Sequence, residues 1–241
     1  MFKSIQDLTL SIPGGGAALL DLDSLTEDRE NLICQLAFLQ GTCDNKDADK
    51  LLGSSMSSFG HTAILSVTHA TVFCLDKIWD RRTARIPSTI EWLQKNIDEV
   101  FSVRRKAHLT SNDNVLETRT LRGAVEATRL EAEMLRTSDL RKNIRLFKTE
   151  HLNHATPDGR SHDREYYLTT GHTPKGDTHA ELKAFGMDTL KVIDDLEMFV
   201  TFRGTATDKH LAALTNQTKT FWQRLPDFSS VEHENGPFCT D

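Results

Sequence analysis

The sequence lacks a long hydrophobic run. The stretch 57–75 has no charged residue, but serine, threonine and histidine interrupt it repeatedly, whereas a membrane-spanning helix needs about 18 or more predominantly apolar residues in succession. The opening residues, MFKSIQDLTLSI, contain no signal-peptide hydrophobic region. The sequence therefore predicts a protein without membrane segments, located in the cytoplasm.

Cysteine is also scarce, with four in 241 residues. No two of the cysteines have CxxC spacing, and Cys34 and Cys74 fall within helical apolar patterns. This distribution predicts reduced thiols rather than a disulfide framework, as is usual in the cytoplasm.

A phosphate-binding loop is missing too. The glycine run at 14–16 is not followed by the Lys-Ser/Thr pair that such loops require. We therefore expect residues 1–23 to form a flexible lead-in. The first helix is predicted to begin at Thr26, where the sequence TEDR supplies an acidic first turn.

An overall excess of positive charge is absent, because the net charge is −6. This argues against a protein that coats nucleic acid by bulk charge. Residues 101–150 nevertheless contain eleven Lys and Arg against seven Asp and Glu, and a local basic face can hold a phosphate backbone. The same residues also fit a solvated helix surface with i,i+4 pairs such as Glu126–Arg122 and Glu133–Arg129. The sequence leaves both interpretations open.

No convincing β-strand or internal repeat is present, and apolar residues recur at helical spacing along most of the chain. The most hydrophobic segment, 56–79, is apolar almost all round and is expected at the centre of the fold. Residues 24–225 are predicted to form a single all-α domain, an up-and-down helical bundle with additional helices. Residues 154–177 are predicted to form a long loop, and residues 226–241 a loose polar tail.

The segment 138–154, SDLRKNIRLFKTEHLNH, combines a helix start with histidines on an apolar side. Ser138 is a good N-cap, and Asp139 suits the helix dipole in the first turn. Spacings of four, three, four and three then place five residues on one side of a helix, here called the seam: Leu140, Ile144, Phe147, His151 and His154. Three basic residues are expected to flank the seam: Arg141, Arg145 and Lys148.

The seam histidines allow more than one interpretation. Histidines on an apolar stripe are commonly hydrogen-bonded core residues. A shared metal is disfavoured because metal-binding histidine pairs on helices prefer a spacing of four, and the sequence predicts neither metal nor cofactor. The third interpretation is a basic residue acting with a histidine on a phosphodiester.

Two basic–histidine pairs share the same separation, Arg145 with His151 and Lys148 with His154. Six positions on a helix rotate the second residue by about 600°, so the two lie about 120° apart and about 9 Å along the axis. A long basic side chain, or a second copy of the helix packed alongside, could close that gap.

Three segments of the sequence resemble a known family: LDKIWD at 75–80, STIEWLQ at 88–94 and FKTEHLNHA at 147–155. Their order and their places on predicted helices are similar to those of the abortive-infection U-type members of the HEPN superfamily. The resemblance covers roughly residues 28–205. It implies a helical bundle that dimerises along the histidine-bearing helix.

The resemblance also implies a function. Many HEPN proteins are metal-independent ribonucleases of toxin–antitoxin and phage-defence systems, so RNA, an antitoxin and a second copy of the chain are the implied partners. The family histidine corresponds best to His154, and the family arginine to Lys148. The strict Arg-x5-His spacing gives Arg145 and His151 instead.

The implied reaction needs no metal. The 2′-hydroxyl of RNA attacks the adjacent phosphate, with His154 as general base or acid and His151, or a histidine of the other subunit, as its counterpart. Lys148 or Arg145 would stabilise the charged phosphorane. Lysine lacks the bidentate fork of arginine, so one alternative is a catalytically inactive HEPN-like bundle that binds RNA, nucleotide or a partner protein. A further alternative is an unrelated helical interaction protein.

Overall fold

A computed structural model gives the fold of residues 9–43, 45, 48, 57–80, 85–108, 118–147, 179–201 and 204–224, with side chains described except at 57–59, 104–108, 118–119 and 146–147. Within these ranges the chain is all-α and contains no strand, as the sequence predicts. None of the described helices is long and apolar enough to cross a membrane.

Eight helices are described. They are α1 (Gly15–Cys43), α2 (Ser57–Ile78), α3 (Arg85–Lys95), α4 (Ile97–His108), α5 (Thr118–Thr137), α6 (Asp139–Phe147), α7 (His179–Thr201) and α8 (Thr207–Arg224). The predicted loop 154–177 and the predicted tail 226–241 lie outside the described residues.

Two long helices, α1 and α7, form the centre of the bundle. Helix α1 packs against α2, α3, α7 and α8, and α7 also contacts α2, α3, α5 and α6. The buried side of α7 includes Leu182, Phe185, Leu190, Ile193 and Leu196. Apolar side chains spaced by three and four on both helices make this pairing possible.

The prediction of a flexible lead-in followed by a helix at Thr26 is wrong for residues 9–25. Helix α1 already begins at Gly15, and Thr9 and Ile12 are buried ahead of it. Gly14 has a φ of +74°, which glycine adopts without strain. A Cβ on Gly15 would lie 2.0 Å from the carbonyl oxygen of Thr9. The glycines therefore permit a tight turn into the helix.

The prediction that 56–79 occupies the centre of the fold is also wrong. Helix α2 packs on one side of α1, and Phe73 remains 40% exposed. Its inward face is partly polar, because Thr68 and Thr71 are buried and donate to the carbonyls of Ile64 and Val67. A threonine hydroxyl that donates to a carbonyl of its own helix can lie on a buried face at little energetic cost. A prediction based only on apolar residues does not identify such buried threonines.

Helix α8 buries only one of its two adjacent aromatic residues. Leu211 and Trp222 are buried, whereas Phe221 is 51% exposed. The indole N–H of Trp222 donates to the hydroxyl of Thr42 at 2.9 Å. This hydrogen bond and the contact with Phe38 fix Trp222 against α1.

Two glycines are expected to respond oppositely to alanine. A Cβ at Gly41 would lie 2.6 Å from Cβ of Thr218 and 3.0 Å from the carbonyl oxygen of Thr215, whereas a Cβ at Gly123 would meet nothing within 4 Å. Gly41→Ala should lower the free energy of unfolding by about 1–3 kcal/mol through overpacking. Gly123→Ala should raise it by about 0.5–1 kcal/mol, because alanine favours the helix. Urea denaturation of both variants measures the two effects, and a loss of stability in both would contradict the prediction.

Candidate functional site

The predicted helix start at Ser138 is confirmed. The hydroxyl of Ser138 accepts a hydrogen bond from the backbone N–H of Arg141 at 3.1 Å, which is the N-cap interaction. The carboxylate of Asp139 lies 2.7 Å from the ammonium of Lys142. This ion pair lowers the pKa of Asp139. One residue, Ser138, therefore separates α5 from α6.

The first half of the seam faces the interior of its own bundle. Ile144 is buried in the main core, and Leu140 packs against that core. An interface between two copies at this seam would have to lie further along, at Phe147, His151 and His154. Lys148, His151 and His154, together with the side chain of Phe147, lie outside the described part of the chain.

Arg141 does not flank the seam as predicted, because its side chain is only 8% exposed. Its Nη2 atom lies 2.8 Å from Oδ1 of Asp76 and donates to the carbonyl oxygen of Trp79 at 3.3 Å. Asp76 lies in the last turn of α2 and Trp79 directly follows the helix, where the helix dipole favours a cation. The spacing of apolar residues does not predict that Arg141 is buried in an ion pair. The one hint in the sequence is Asp76, an aspartate within the otherwise largely apolar LDKIWD segment.

The LDKIWD segment and α6 are thus joined by direct contacts, and the segment is largely structural. Leu75, Ile78 and Trp79 are buried in the core. The indole N–H of Trp79 donates to the hydroxyl of Thr189 at 3.1 Å. The position of α6 on the bundle is therefore set by one of the segments on which the family resemblance rests.

A second buried charge cluster surrounds Asp28, which the sequence places in the acidic first turn of a helix. Its side chain is 2% exposed, and its carboxylate lies 2.6 Å from the ammonium of Lys77 and 2.9 Å from the guanidinium of Arg85. The thiol of Cys74 lies 3.4 Å from the backbone carbonyl of Asp28. Burial, and secondarily the Asp28 charge, raises the pKa of Cys74 to about 12, so this thiol is not a nucleophile near neutral pH.

The basic residues of α5 are largely neutralised by neighbouring acids. The predicted i,i+4 pairs do not form; instead Arg129 pairs with Glu126 and Arg136 with Glu133, each at 2.8 Å and a spacing of three. Arg122 pairs with Asp98 of α4 at 2.7 Å. This part of the chain therefore matches the solvated-surface interpretation better than a continuous basic face.

Arg145 differs from these residues. It is exposed on α6, and it forms no hydrogen bond or ion pair with any residue in the described ranges. Each of the other basic side chains described between 120 and 145 has an acidic partner: Arg122, Arg129, Arg136, Arg141 and Lys142. A guanidinium without a counter-ion is available to an external anion such as a phosphate.

A cavity between α7 and the start of α8 is acidic, in contrast to the exposed cation Arg145. Its volume is about 470 Å³, and its lining includes four aspartates and one lysine: Asp188, Asp194, Asp195, Asp208 and Lys191. Burial raises the pKa of Asp195, partly offset by a hydrogen bond from Thr128. Such a lining repels phosphate. In the ranges with assigned structure, no group of three His, Cys, Asp or Glu residues is placed to hold a metal ion.

Searches against protein-family models, curated proteins and solved structures found no match for this chain. The resemblance to the HEPN superfamily therefore rests on the quoted sequence segments alone.

Proposed function

We propose that the protein binds RNA at the exposed side of α6 and the residues that follow it, and cleaves the RNA without a metal ion, as a HEPN-like member of a phage-defence or toxin–antitoxin system. The observation that supports this most directly is Arg145, exposed on α6 and unpaired within the described chain. The sequence places Lys148, His151 and His154 within nine residues of it.

The chemistry of the proposed site is general acid–base catalysis on a phosphodiester. One histidine removes the proton from the 2′-hydroxyl, which attacks the adjacent phosphorus, and a second group protonates the leaving 5′-oxygen. Arg145 or Lys148 stabilises the additional negative charge on the phosphorane. His154 is the principal candidate for the acid–base residue, with His151 as its counterpart.

The anchoring of α6 supports a fixed rather than a mobile cation. Arg141, one turn before Arg145, is held between Asp76 and the carbonyl of Trp79. A side chain that starts from an immobile helix loses less conformational freedom on binding a phosphate, so more of the interaction contributes to affinity.

Removal of the Arg145 guanidinium is expected to lower RNA cleavage in EDTA about tenfold to a hundredfold, by the loss of one charge-assisted contact to the transition state. The matched control is Lys142→Ala, an exposed cation on the same helix that is already neutralised by Asp139; its rate should stay close to that of the wild type. Gel analysis of cleavage on structured and single-stranded RNA measures both rates. Equal rates for Arg145→Ala and Lys142→Ala would exclude Arg145 from the site.

The two sequence registers predict different histidines. His154→Ala abolishes cleavage if the family histidine is His154, and His151→Ala does so if the strict Arg-x5-His spacing applies. Lys148→Arg restores a bidentate donor and should raise the rate about tenfold in the first register.

The alternative is a catalytically inactive HEPN-like bundle that binds RNA, nucleotide or a partner protein through the same face. Lysine at the position of the family arginine favours it, because an ammonium cannot grip two phosphate oxygens at once. The alternative holds if the wild type and Lys148→Arg are both inert on RNA and neither stops cell growth when expressed, while binding still depends on Arg145.

A further inference from the structure

Helix α5 has a second uncharged side that faces solvent. Its inner side is buried through Leu121, Val125, Thr128 and Ala132. On the opposite side six residues are all exposed and form what we call the outer stripe: Thr120, Gly123, Ala127, Leu130, Met134 and Thr137. Leu130 is 51% and Met134 73% exposed, a large apolar exposure for adjacent turns of one helix.

The spacing of the outer stripe is that of a coiled-coil seam. Its members recur at intervals of three, four, three, four and three residues, which is the heptad pattern of two helices that pack along each other. Twenty residues give α5 a length of about 30 Å. Because the core side of α5 is satisfied by α3, α4, α6 and α7, this pattern is not needed for the fold of the protomer.

A charged border runs along one edge of the stripe and alternates in sign. It consists of Arg122, Glu126, Arg129, Glu133 and Arg136, each one position before a stripe residue. The residues one position after the stripe lie nearer the core: Leu121 and Thr128 are buried, and Glu131, the one charged residue among them, pairs with Lys191 of α7. Charges that alternate in sign therefore run along one edge of the stripe only.

This asymmetry fixes the orientation of a second copy. A twofold axis perpendicular to two antiparallel helices brings the same edge of each together, whereas a parallel pair brings opposite edges together. An edge on which positive and negative charges alternate can pair with the same edge of a second copy only when the two helices are antiparallel. With the axis level with residues 130–131, Arg129 lies opposite the partner subunit's Glu133, and Glu126 lies opposite the partner subunit's Arg136.

The same register matches the apolar side chains in size. Leu130 meets Leu130 of the partner subunit close to the axis, and Met134 meets Ala127 of the partner subunit. Pairing a large with a small residue lets the helices approach without a void. From the exposure, the heptad spacing and the self-complementary edge, we propose that the outer stripe of α5 is an antiparallel homodimer interface, distinct from the 138–154 seam.

Sedimentation velocity over a concentration series of roughly 1–300 µM tests the interface, since an interface of this limited size is expected to be reversible. The full-length wild type should convert from monomer to dimer within that range, and Met134→Asp should remain monomeric. Leu20→Asp is the matched control, because Leu20 is 70% exposed but lies on α1; it should dimerise as the wild type does. A wild type that stays monomeric throughout, or a dimer that survives in Met134→Asp, would overturn the proposal.

Charge exchange separates contacts between copies from contacts within one helix. Arg129→Glu and Glu133→Arg, each alone, place like charges across the axis and should weaken dimerisation at least tenfold. The double exchange restores the pair between copies, although it breaks both intrahelical pairs, Glu126–Arg129 and Glu133–Arg136. Recovery of the dimer in the double variant supports the interface, and no recovery contradicts it.

Disulfide trapping tests the orientation. In a background with serine at positions 34, 43 and 239, Leu130→Cys should form an intermolecular disulfide, because the two Leu130 positions are offset by only about 3 Å along the axis. Gly123→Cys should not, because its two copies lie roughly 24 Å apart along the axis. Efficient crosslinking of Gly123→Cys indicates a parallel pair and overturns the antiparallel arrangement.

Discussion

Arg141→Met is expected to lower the free energy of unfolding by about 3–5 kcal/mol, because it leaves the buried carboxylate of Asp76 without its guanidinium. Asp76 and Arg141 each have side chains only 8% exposed, and their atoms lie 2.8 Å apart. Arg141 also donates to the carbonyl of Trp79. The carboxylate of Asp76 and the carbonyl of Trp79 therefore lose a donor at once.

The double variant Arg141→Met, Asp76→Leu shows whether the penalty comes from breaking the buried ion pair. It should recover most of the lost stability, because replacing both members of a buried pair by apolar residues is often neutral. Arg136→Met is the surface control: its partner Glu133 is exposed, so a much smaller change is expected. Chemical denaturation followed by circular dichroism measures all three. If Arg141→Met is no more harmful than Arg136→Met, Arg141 does not anchor α6.

Trp79→Ala is expected to cost about 3–5 kcal/mol, since it removes a large side chain that is 5% exposed in the core. The ring of Trp79 lies at 6.3 Å from that of Phe185, centroid to centroid, and its N–H donates to Thr189. Both contacts join α2 to α7, one of the two central helices.

Trp79→Phe separates the ring from its hydrogen bond. Phenylalanine keeps most of the apolar volume but not the donor, so a loss of about 1–3 kcal/mol is expected. Trp92→Ala is the comparison, because Trp92 is only partly buried and donates to the carbonyl of Pro13 from the surface; its cost should be smaller than that of Trp79→Ala. Thermal or urea unfolding gives the order of the three variants, and the reverse order would contradict the assignment of Trp79 to the core.

The contacts of Asp76 and Trp79 also bear on the interpretation of the LDKIWD segment, to which both residues belong. Asp76 and the carbonyl of Trp79 bind Arg141 and so hold α6 on the bundle, whereas the indole of Trp79 binds Thr189 of α7. A short segment that resembles a family motif can thus reflect a packing requirement. The proposed ribonuclease activity accordingly depends on Arg145 and the residues beyond it rather than on LDKIWD.

Much of the bundle follows from periodicity. Leu121, Val125 and Ala132 on α5, and Leu182, Phe185 and Leu190 on α7, are buried as their spacing predicts. The N-cap at Ser138 was predictable because a hydroxyl before a helix with an acidic first turn satisfies an unpaired backbone N–H. These features depend on residues close together in the chain.

Features that depend on distant residues were not predictable in the same way. Arg29, which the sequence places in the first turn of a helix, is buried and bonds to Glu197 of α7 and to Glu30. The pKa of Glu197 is raised by its burial, against the opposing effect of Arg29. Nothing in the local pattern distinguishes such a residue from a surface arginine, because its partner is 168 positions away.

By itself the sequence determined that the described chain is helical and which faces of α5 and α7 are buried, because apolar spacing and N-caps act within one or two helical turns. Only the tertiary structure decided that α1 and α7, rather than α2, lie at the centre, and that Arg141 is buried while Arg145 is exposed. The physical reason is that the burial of a charge depends on which partner another helix presents: Asp76 lies opposite Arg141, and no described acid lies opposite Arg145.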